Sequence, residues 1–320
     1  MFRFLRSQLM VTPSLPPSAS FTDQVAIVTG ANVGLGLEAA RHISRLGARK
    51  VILAVRNVLS GDEARRSIEE STGRVGVCEV WPLDLASYAS VIAFAHRAQA
   101  LPRLDIVLEN AAVATTEFQL AEGHELSITV NVINTMFLAL LLLPKLRETA
   151  RRSPLRKPHL TVVVSEAHAF TSFPEWRQEC IFEALDDNGA TDMNERYPTS
   201  KLLEILALRE LIVRMSDDAV IINMVNPGLC HSRLSRDAGM SMAIMKFFLA
   251  RSTEVGSRTL VTGIVAGSET HGSYMSNCLV ASHELSAFVR SEDGDTAQKK
   301  IWQELCEMLE VIQPGVTRNL

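Results

Sequence analysis

Short runs that are apolar at nearly every position recur along the chain, separated by longer stretches in which apolar residues return every three or four positions. The runs are "VAIVTG" from Val25, "KVILAV" from Lys50, "VCEVWPL" from Val77, "DIVLEN" from Asp105, "LTVVVS" from Leu160 and "AVIINMVNPG" from Ala219. A strand covered on both faces has no need of polar alternation, so such runs read as strands of a buried parallel sheet. Between them lie "GLEAARHISRLGA", "SGDEARRSIEEST" and "SYASVIAFAHRAQA", which have helical length and spacing. The alternation predicts an α/β fold, one doubly wound parallel sheet with helices on both faces. No solenoid repeat or interdomain linker interrupts it. The pattern therefore gives one domain over residues 21–320, preceded by a Pro/Ser-rich arm over residues 1–20.

Two segments break the rhythm. Arg147 to Pro158 is basic and proline-punctuated, which reads as a helix end with cations near its C-terminal dipole, then a solvated loop. Residues 166–196 form an acidic insert that also holds Phe170, Phe173, Trp176 and Phe182. It leaves and rejoins the chain near the candidate site described below, so it is expected to cover a substrate. The apolar segment from His231 to Ala250 is expected to form a second wall, with His168 and His231 as polar wall residues.

The longest apolar run, Met136 to Leu143, stops at Pro144. It falls short of the ~20 residues that span a bilayer, and is read as a core helix. The apolar part of the arm is short and broken by Arg6 and prolines, which argues against a signal peptide or an anchor. Phe2, Phe4 and Leu5 are expected to cover the protein's own surface. At 320 residues and 47% apolar, the chain can bury a large core. A net charge of −4 gives no electrostatic case for nucleic acid. The five cysteines are scattered without a CxxC pair or metal-ligand spacing, favouring free thiols in a reducing, cytoplasmic setting and no metal site. No integral membrane association is expected.

The first strand runs into the first helix through Gly30, Gly34 and Gly36. The GxxxGxG spacing differs from GxGxxG, but its physics is the same. Missing Cβ atoms allow the turn and let backbone approach a pyrophosphate at a helix N-terminus. This makes the fold Rossmann-type. After the second strand stand Arg56 and Asn57, with no carboxylate until Asp62. A carboxylate there would take ribose hydroxyls and repel a 2′-phosphate, whereas a guanidinium clasps one, so NADP(H) is expected. Asp84, after the third strand, can meet the adenine amine or cap the next helix, where Ser87 competes for the cap. Tyr197 and Lys201 stand four apart on a helix that Pro198 can start. They follow a strand ending in Ser165.

Together these features resemble the short-chain dehydrogenase/reductase superfamily. The resemblance is carried by "TGANVGLG" (Thr29–Gly36), "NAA" (Asn110–Ala112), "VNVINTMF" (Val130–Phe137), "VVVSEAH" (Val162–His168), "YPTSK" (Tyr197–Lys201) and "NPGLCHS" (Asn226–Ser232). They cover nearly the whole chain in the family's order. The wording looks most like a retinol-dehydrogenase-like branch of filamentous-fungal secondary metabolism.

The resemblance implies that Tyr197 gives a proton to a carbonyl, or takes one in oxidation. Lys201 would hold the nicotinamide ribose and favour the phenolate. Bringing a phenol from ~10 to ~7 needs about 4 kcal/mol. Ser165 would bond the substrate oxygen, and Asn131 would order a water linking Lys201 to solvent. Asn32, Val33, Leu35, Leu85 and Asn110 would line the cofactor together with the glycines. Pro227 and Gly228 would wrap the nicotinamide, and Ser232 would bond its carboxamide.

Some positions depart from the family pattern. Glu109 stands where a second asparagine is common, Ala112 and Asn134 replace glycines, and Val164 replaces a first serine, which leaves Ser165 as the aligned one. The insert of residues 166–196 also lengthens the usual serine-to-tyrosine distance. The implied activity is ketone and secondary-alcohol interconversion on a fairly large apolar substrate. A non-redox epimerase and a catalytically silent NADP-binding regulator are the alternatives. Relatives often pair through helices into homo-oligomers, an assembly that the arm could block.

Overall fold

A computed structural model describes residues 2–153, 155–189, 192–231 and 249–320. Its strands are β1 (Val25–Thr29), β2 (Lys50–Val55), β3 (Cys78–Pro82), β4 (Ile106–Glu109), β5 (Leu120–Ala121), β6 (His124–Glu125), β7 (His159–Val163), β8 (Ile221–Asn226), β9 (Tyr274–Ser276) and β10 (Leu279–Val280). Among the described residues the main sheet has the order β10-β9-β8-β7-β4-β1-β2-β3, and β5 and β6 form a separate hairpin. Every pairing in the main sheet is parallel except β10 with β9. All six expected strands are present. The order reverses between β1 and β4, and the cleft that opens at such a reversal is where ligands of open α/β sheets bind.

The principal helices are α1 (Phe2–Met10), α2 (Gly34–Arg45), α3 (Val58–Thr72), α4 (Tyr88–Gln99), α5 (Leu126–Ile128), α6 (Asn134–Arg152), α7 (Ile181–Leu185), α8 (Met193–Arg214), α9 (Thr253–Val265) and α10 (Glu292–Ile312). Alternate residues of each strand enter opposite cores. Val25 and Ile27 of β1 face the cluster built with α4, α6, α8 and α10, while Ala26 and Val28 face the one built with α2 and α9. Each fully buried aliphatic side chain contributes about 1.5–3 kcal/mol.

Helix α6 continues past Pro144, where the apolar run ends, and stops at Arg152 within the basic segment expected to hold a helix end. Proline inside a helix leaves the carbonyl four residues back without its donor. Here Asn319 Nδ2 donates to Leu140 O at 3.1 Å, and Gln99 Nε2 supports the adjoining Leu141 O at 2.8 Å. The stretch from Leu126 to Arg152 is long and apolar enough to cross a membrane, yet it is buried along most of that length.

Helix α8 likewise begins earlier than expected. Asp192 accepts from Asn194 N at 2.9 Å as its N-cap, so Pro198 lies within the helix rather than starting it.

The insert is docked, not free-standing. Phe173, Ile181, Phe182 and Leu185 are buried in the main core. Trp176 packs on Phe288, and Glu304 of α10 accepts from Ile181 N and Phe182 N at the start of α7. Of the four aromatic residues expected to cover a substrate, Phe170 alone is largely exposed, at 68%.

The arm lies on the molecule. Ser7 bonds Asn277, Gln8 donates to Leu229 O and Leu249 O, and Arg258 holds Pro13 O. The expected second wall falls largely on residues 232–248, outside the described residues.

Candidate active site

The candidate residues gather at the carboxyl ends of the parallel strands. After β1, Gly30 and Gly34 take positive φ values of 64° and 65°, which favour glycine. Gly36 is needed for a different reason. A Cβ there would lie 2.5 Å from both Gly30 O and Asn110 Nδ2. Thr29 Oγ1 accepts from Asn110 N and Ala111 N, and Asn110 Nδ2 donates to Thr29 O, all at 2.9 Å. Asn110 thus locks the turn of Gly30, Asn32 and Val33 to the end of β4. Val33 leads into α2 with no side-chain cap, and Leu35 and Gly36 follow in its first turn. The uncapped helix start and the Cβ-free turn suit a dinucleotide phosphate.

Arg56 is exposed just beyond β2, and Asn57 is committed to capping α3 through Ser60 N. Asp84 is half-buried and accepts from Ala86 N at 2.9 Å, while Ser87 takes the α4 cap. The buried Leu85 is fixed through its carbonyl by Asn134 Nδ2 at 2.7 Å. Asn134, read above only as a lost glycine, therefore positions this wall.

Ser165 follows β7 and caps the short 3-10 turn Glu166–Phe170, accepting from Ala167 N at 3.1 Å. His168 is buried instead of lining a wall. Its Nδ1 lies 2.7 Å from Ser165 O, and its Nε2 accepts from Ser286 N at 3.0 Å. An imidazole accepting at Nε2 carries its proton on Nδ1, so His168 donates to Ser165 O and steadies the serine. His231 is exposed and engages Arg251 O through its backbone.

Ser165 draws the Tyr197 phenol toward the phenolate. Burial is nevertheless the largest influence on the phenol and holds its pKa above the ordinary value, against the pull of Lys201 and Ser165 and with a further push from Glu204. The sequence reading credited Lys201 with favouring the phenolate. That pull is present, but much of the ammonium's charge is already spoken for. Lys201 Nζ is buried and donates to Glu204 Oε2 at 2.8 Å and to Val163 O at 2.9 Å. Glu204, one helical turn along, was missed although its i,i+3 spacing was visible.

Asn131 sits in a five-residue π-helix, Thr129–Ile133, an irregularity frequent at functional sites. Its side chain bonds Val113 N, Val113 O and Ser200 Oγ, each at 2.9 Å. Ser200 in turn donates to Tyr197 O at 2.8 Å. The side chain of Asn131 thus reaches the Tyr197 turn through Ser200, with both of its amide hydrogens engaged.

After β8, Pro227 leads to Gly228 at φ 76°. A Cβ on Gly228 would lie 2.5 Å from Gln8 Oε1. Arg251 supports the loop from behind, donating to Pro227 O, Ser7 O, Val11 O and Asn277 Oδ1. Ser232 lies outside the described residues. Among those residues no group of three or more His, Cys, Asp or Glu is placed to hold a metal ion.

A family profile described as short chain dehydrogenase matches residues 24–153. Short chain dehydrogenase/reductase dmxR8 of Cryptosporiopsis sp. is 45% identical, over 99% of this chain and 99% of its own. Short-chain dehydrogenase anuD of Penicillium roqueforti is 41% identical, over 98% of this chain and 84% of its own. Short chain dehydrogenase atnD of Emericella nidulans is 44% identical, over 87% and 90%. Among solved structures, an uncharacterized protein from Mycobacterium paratuberculosis superposes with a TM-score of 0.68 at 24% identity, over 93% of this chain and 96% of that one. The Pseudomonas aeruginosa RhlG/NADP active-site complex does so with a TM-score of 0.60 at 21% identity, over 80% and 95%. These last two likenesses speak for the fold.

Proposed function

The chain belongs to the short-chain dehydrogenase/reductase family, and from that premise we propose that it is an NADP(H)-dependent enzyme reducing a ketone to a secondary alcohol. Its substrate is a fairly large apolar molecule. Its place is a cytoplasmic tailoring step of secondary metabolism, a reading supported by relatives that are fungal short-chain dehydrogenases. The observation that carries the chemistry is Lys201, buried one helical turn from Tyr197 with its Nζ held by Val163 O.

Gly30, Asn32, Val33, Gly34, Leu35, Gly36, Asp84, Leu85, Asn110, Lys201, Pro227 and Gly228 would hold the cofactor, with Ser232 completing the set. Arg56 would meet the 2′-phosphate. When bound, the nicotinamide supplies the hydride. Everything else falls to the protein. Ser165 donates to the substrate oxygen as negative charge develops there, the role of an oxyanion donor. Tyr197 then transfers its proton to that oxygen. A phenol that burial keeps protonated suits this direction, because an alkoxide is far more basic than a phenolate. Lys201 steadies the phenolate left behind, and its bond to Val163 O fixes where its charge lies.

Tyr197→Phe keeps the ring and removes the proton. It is expected to lower kcat by about 10²–10⁴-fold while leaving NADPH binding within a few-fold. NADPH consumption over a panel of polyketide and terpenoid ketones, with mass spectrometry of products, is the measurement. Near-normal turnover by this variant would overturn the mechanism. Substrate conversion without NADPH consumption would favour an epimerase instead.

A further inference from the structure

We propose that Gln8, in the N-terminal arm, is a positioning residue of the cofactor site. It seats the loop from Pro227 to Leu229, so that docking of the arm and binding of the nicotinamide half strengthen one another. The proposal rests on the assignment of that loop to the nicotinamide given above. Gln8 lies in α1 and is 8% exposed. Its Nε2 donates to Leu229 O at 2.8 Å and to Leu249 O at 3.2 Å. Its Oε1 has no hydrogen-bond partner among the described residues and packs on Gly228, where a Cβ would lie 2.5 Å away. A side chain at position 228 would therefore displace the arm.

Leu229 and Leu249 belong to two segments that meet side by side. Cys230 and Arg251 form a parallel bridge, in which Arg251 N donates to Leu229 O and His231 N to Arg251 O, both at 2.9 Å. One amide group of the arm thus reaches both segments at once. Arg251 adds a second tie, because its guanidinium donates to Pro227 O on the loop and to Ser7 O and Val11 O on the arm. Residues on either side of Gln8 are fastened elsewhere. Ser7 Oγ donates to Asn277 Oδ1 at 2.9 Å, and Arg258 Nη1 donates to Pro13 O at 3.1 Å. Beyond the loop, Cys230 packs so closely on α9 that a Cβ at Gly256 would collide with its sulfur. Within the loop, Gly228 N donates to Asn226 Oδ1 at 3.1 Å. The flanking carbonyls of Pro227 and Leu229 are met by Arg251 and Gln8.

Those two carbonyls bracket Gly228, so the bonds fix the peptide planes of the turn. A loop already held in its binding shape loses less freedom when a ligand arrives, and the saving appears as affinity. The saving is local. Arg56 and Asp84, expected to meet the adenine half, follow β2 and β3, which stand four and five strand positions from β8. Strands lie about 4.8 Å apart, which puts the adenine half about 20 Å from the loop. Coupling between two binding events is reciprocal, so a nicotinamide that gains from the docked arm must hold the arm down in return.

The test uses the full chain, as wild type and as Gln8→Leu, which keeps a similar size and removes both donated bonds. Calorimetry measures binding of NADPH and of adenosine 2′,5′-bisphosphate, which carries the adenine half alone. Gln8→Leu should raise the Kd of NADPH about 5–10-fold and leave that of the bisphosphate within about 2-fold. Limited subtilisin cleavage of the wild type needs no variant. Cleavage within residues 11–20 should slow several-fold with saturating NADPH and not with the bisphosphate. Equal weakening of both ligands, or a lower Tm with an unchanged NADPH Kd, would reduce Gln8 to a packing residue and overturn the proposal. Cleavage that ignores NADPH would overturn the coupling. Wild type that binds NADPH as tightly as the variant does would remove the arm's part alone and leave the cofactor reading in place. Wild type that binds neither ligand would remove that reading, and this inference with it.

Discussion

Arg56 shows how much can depend on one side chain. It stands exposed beyond β2 with no hydrogen bond or ion pair to its guanidinium among the described residues, so its charge is available to a phosphate. Arg56→Asp should weaken NADPH binding about 10–100-fold, the range of a lost charge-assisted contact, and leave NADH nearly unchanged. Fluorescence titration with both cofactors measures it, and an unchanged preference would discard the NADP(H) reading. At this scale sequence legibility was uneven. Tyr197, Lys201, Ser165 and the glycines were named because each lies in a short local pattern. Glu204 lay one helical turn from Lys201 and was passed over. Glu109 is visible in the sequence as an oddity, but its burial at the end of β4 beside Val162 depends on the register of β4 against β7, which no local pattern encodes.

Among elements, the arm and the insert show what periodicity leaves out. The long strands were readable because apolar runs of five or six residues carry a signal. The strands β5, β6, β9 and β10, two or three residues each, carry almost none. The insert reads as acidic, yet four apolar side chains dock it into the core. The arm is fastened to the Pro227–Gly228 loop by Arg251, a buried cation whose partners are mainly carbonyls. Arg251→Met should leave those acceptors unmet and cost about 2–3 kcal/mol. Faster limited proteolysis within residues 11–20, with weaker cofactor binding, is the expected signature. Unchanged cleavage and binding would show that the arm is held by other contacts.

For the molecule as a whole, layer order and chain direction were legible from the alternation of apolar runs with helical stretches. Which strand neighbours which was not, because register is set by packing across the sheet. No disulfide joins the described cysteines, two of which are buried. Thermal unfolding and turnover should therefore be indifferent to reductant and to chelator, and a Tm shift of several degrees with either would reveal a crosslink or metal. The repair of helix α6 reaches furthest along the chain. Asn319 lies 179 positions beyond Leu140. Gln99, by contrast, has already been made when Leu141 appears. During synthesis, which proceeds from the N-terminus, one carbonyl beside the proline finds its donor early. The other must wait for 179 further residues. Until then a nascent chain holds one carbonyl of its most apolar segment without its protein donor, an interval in which water or a chaperone must serve.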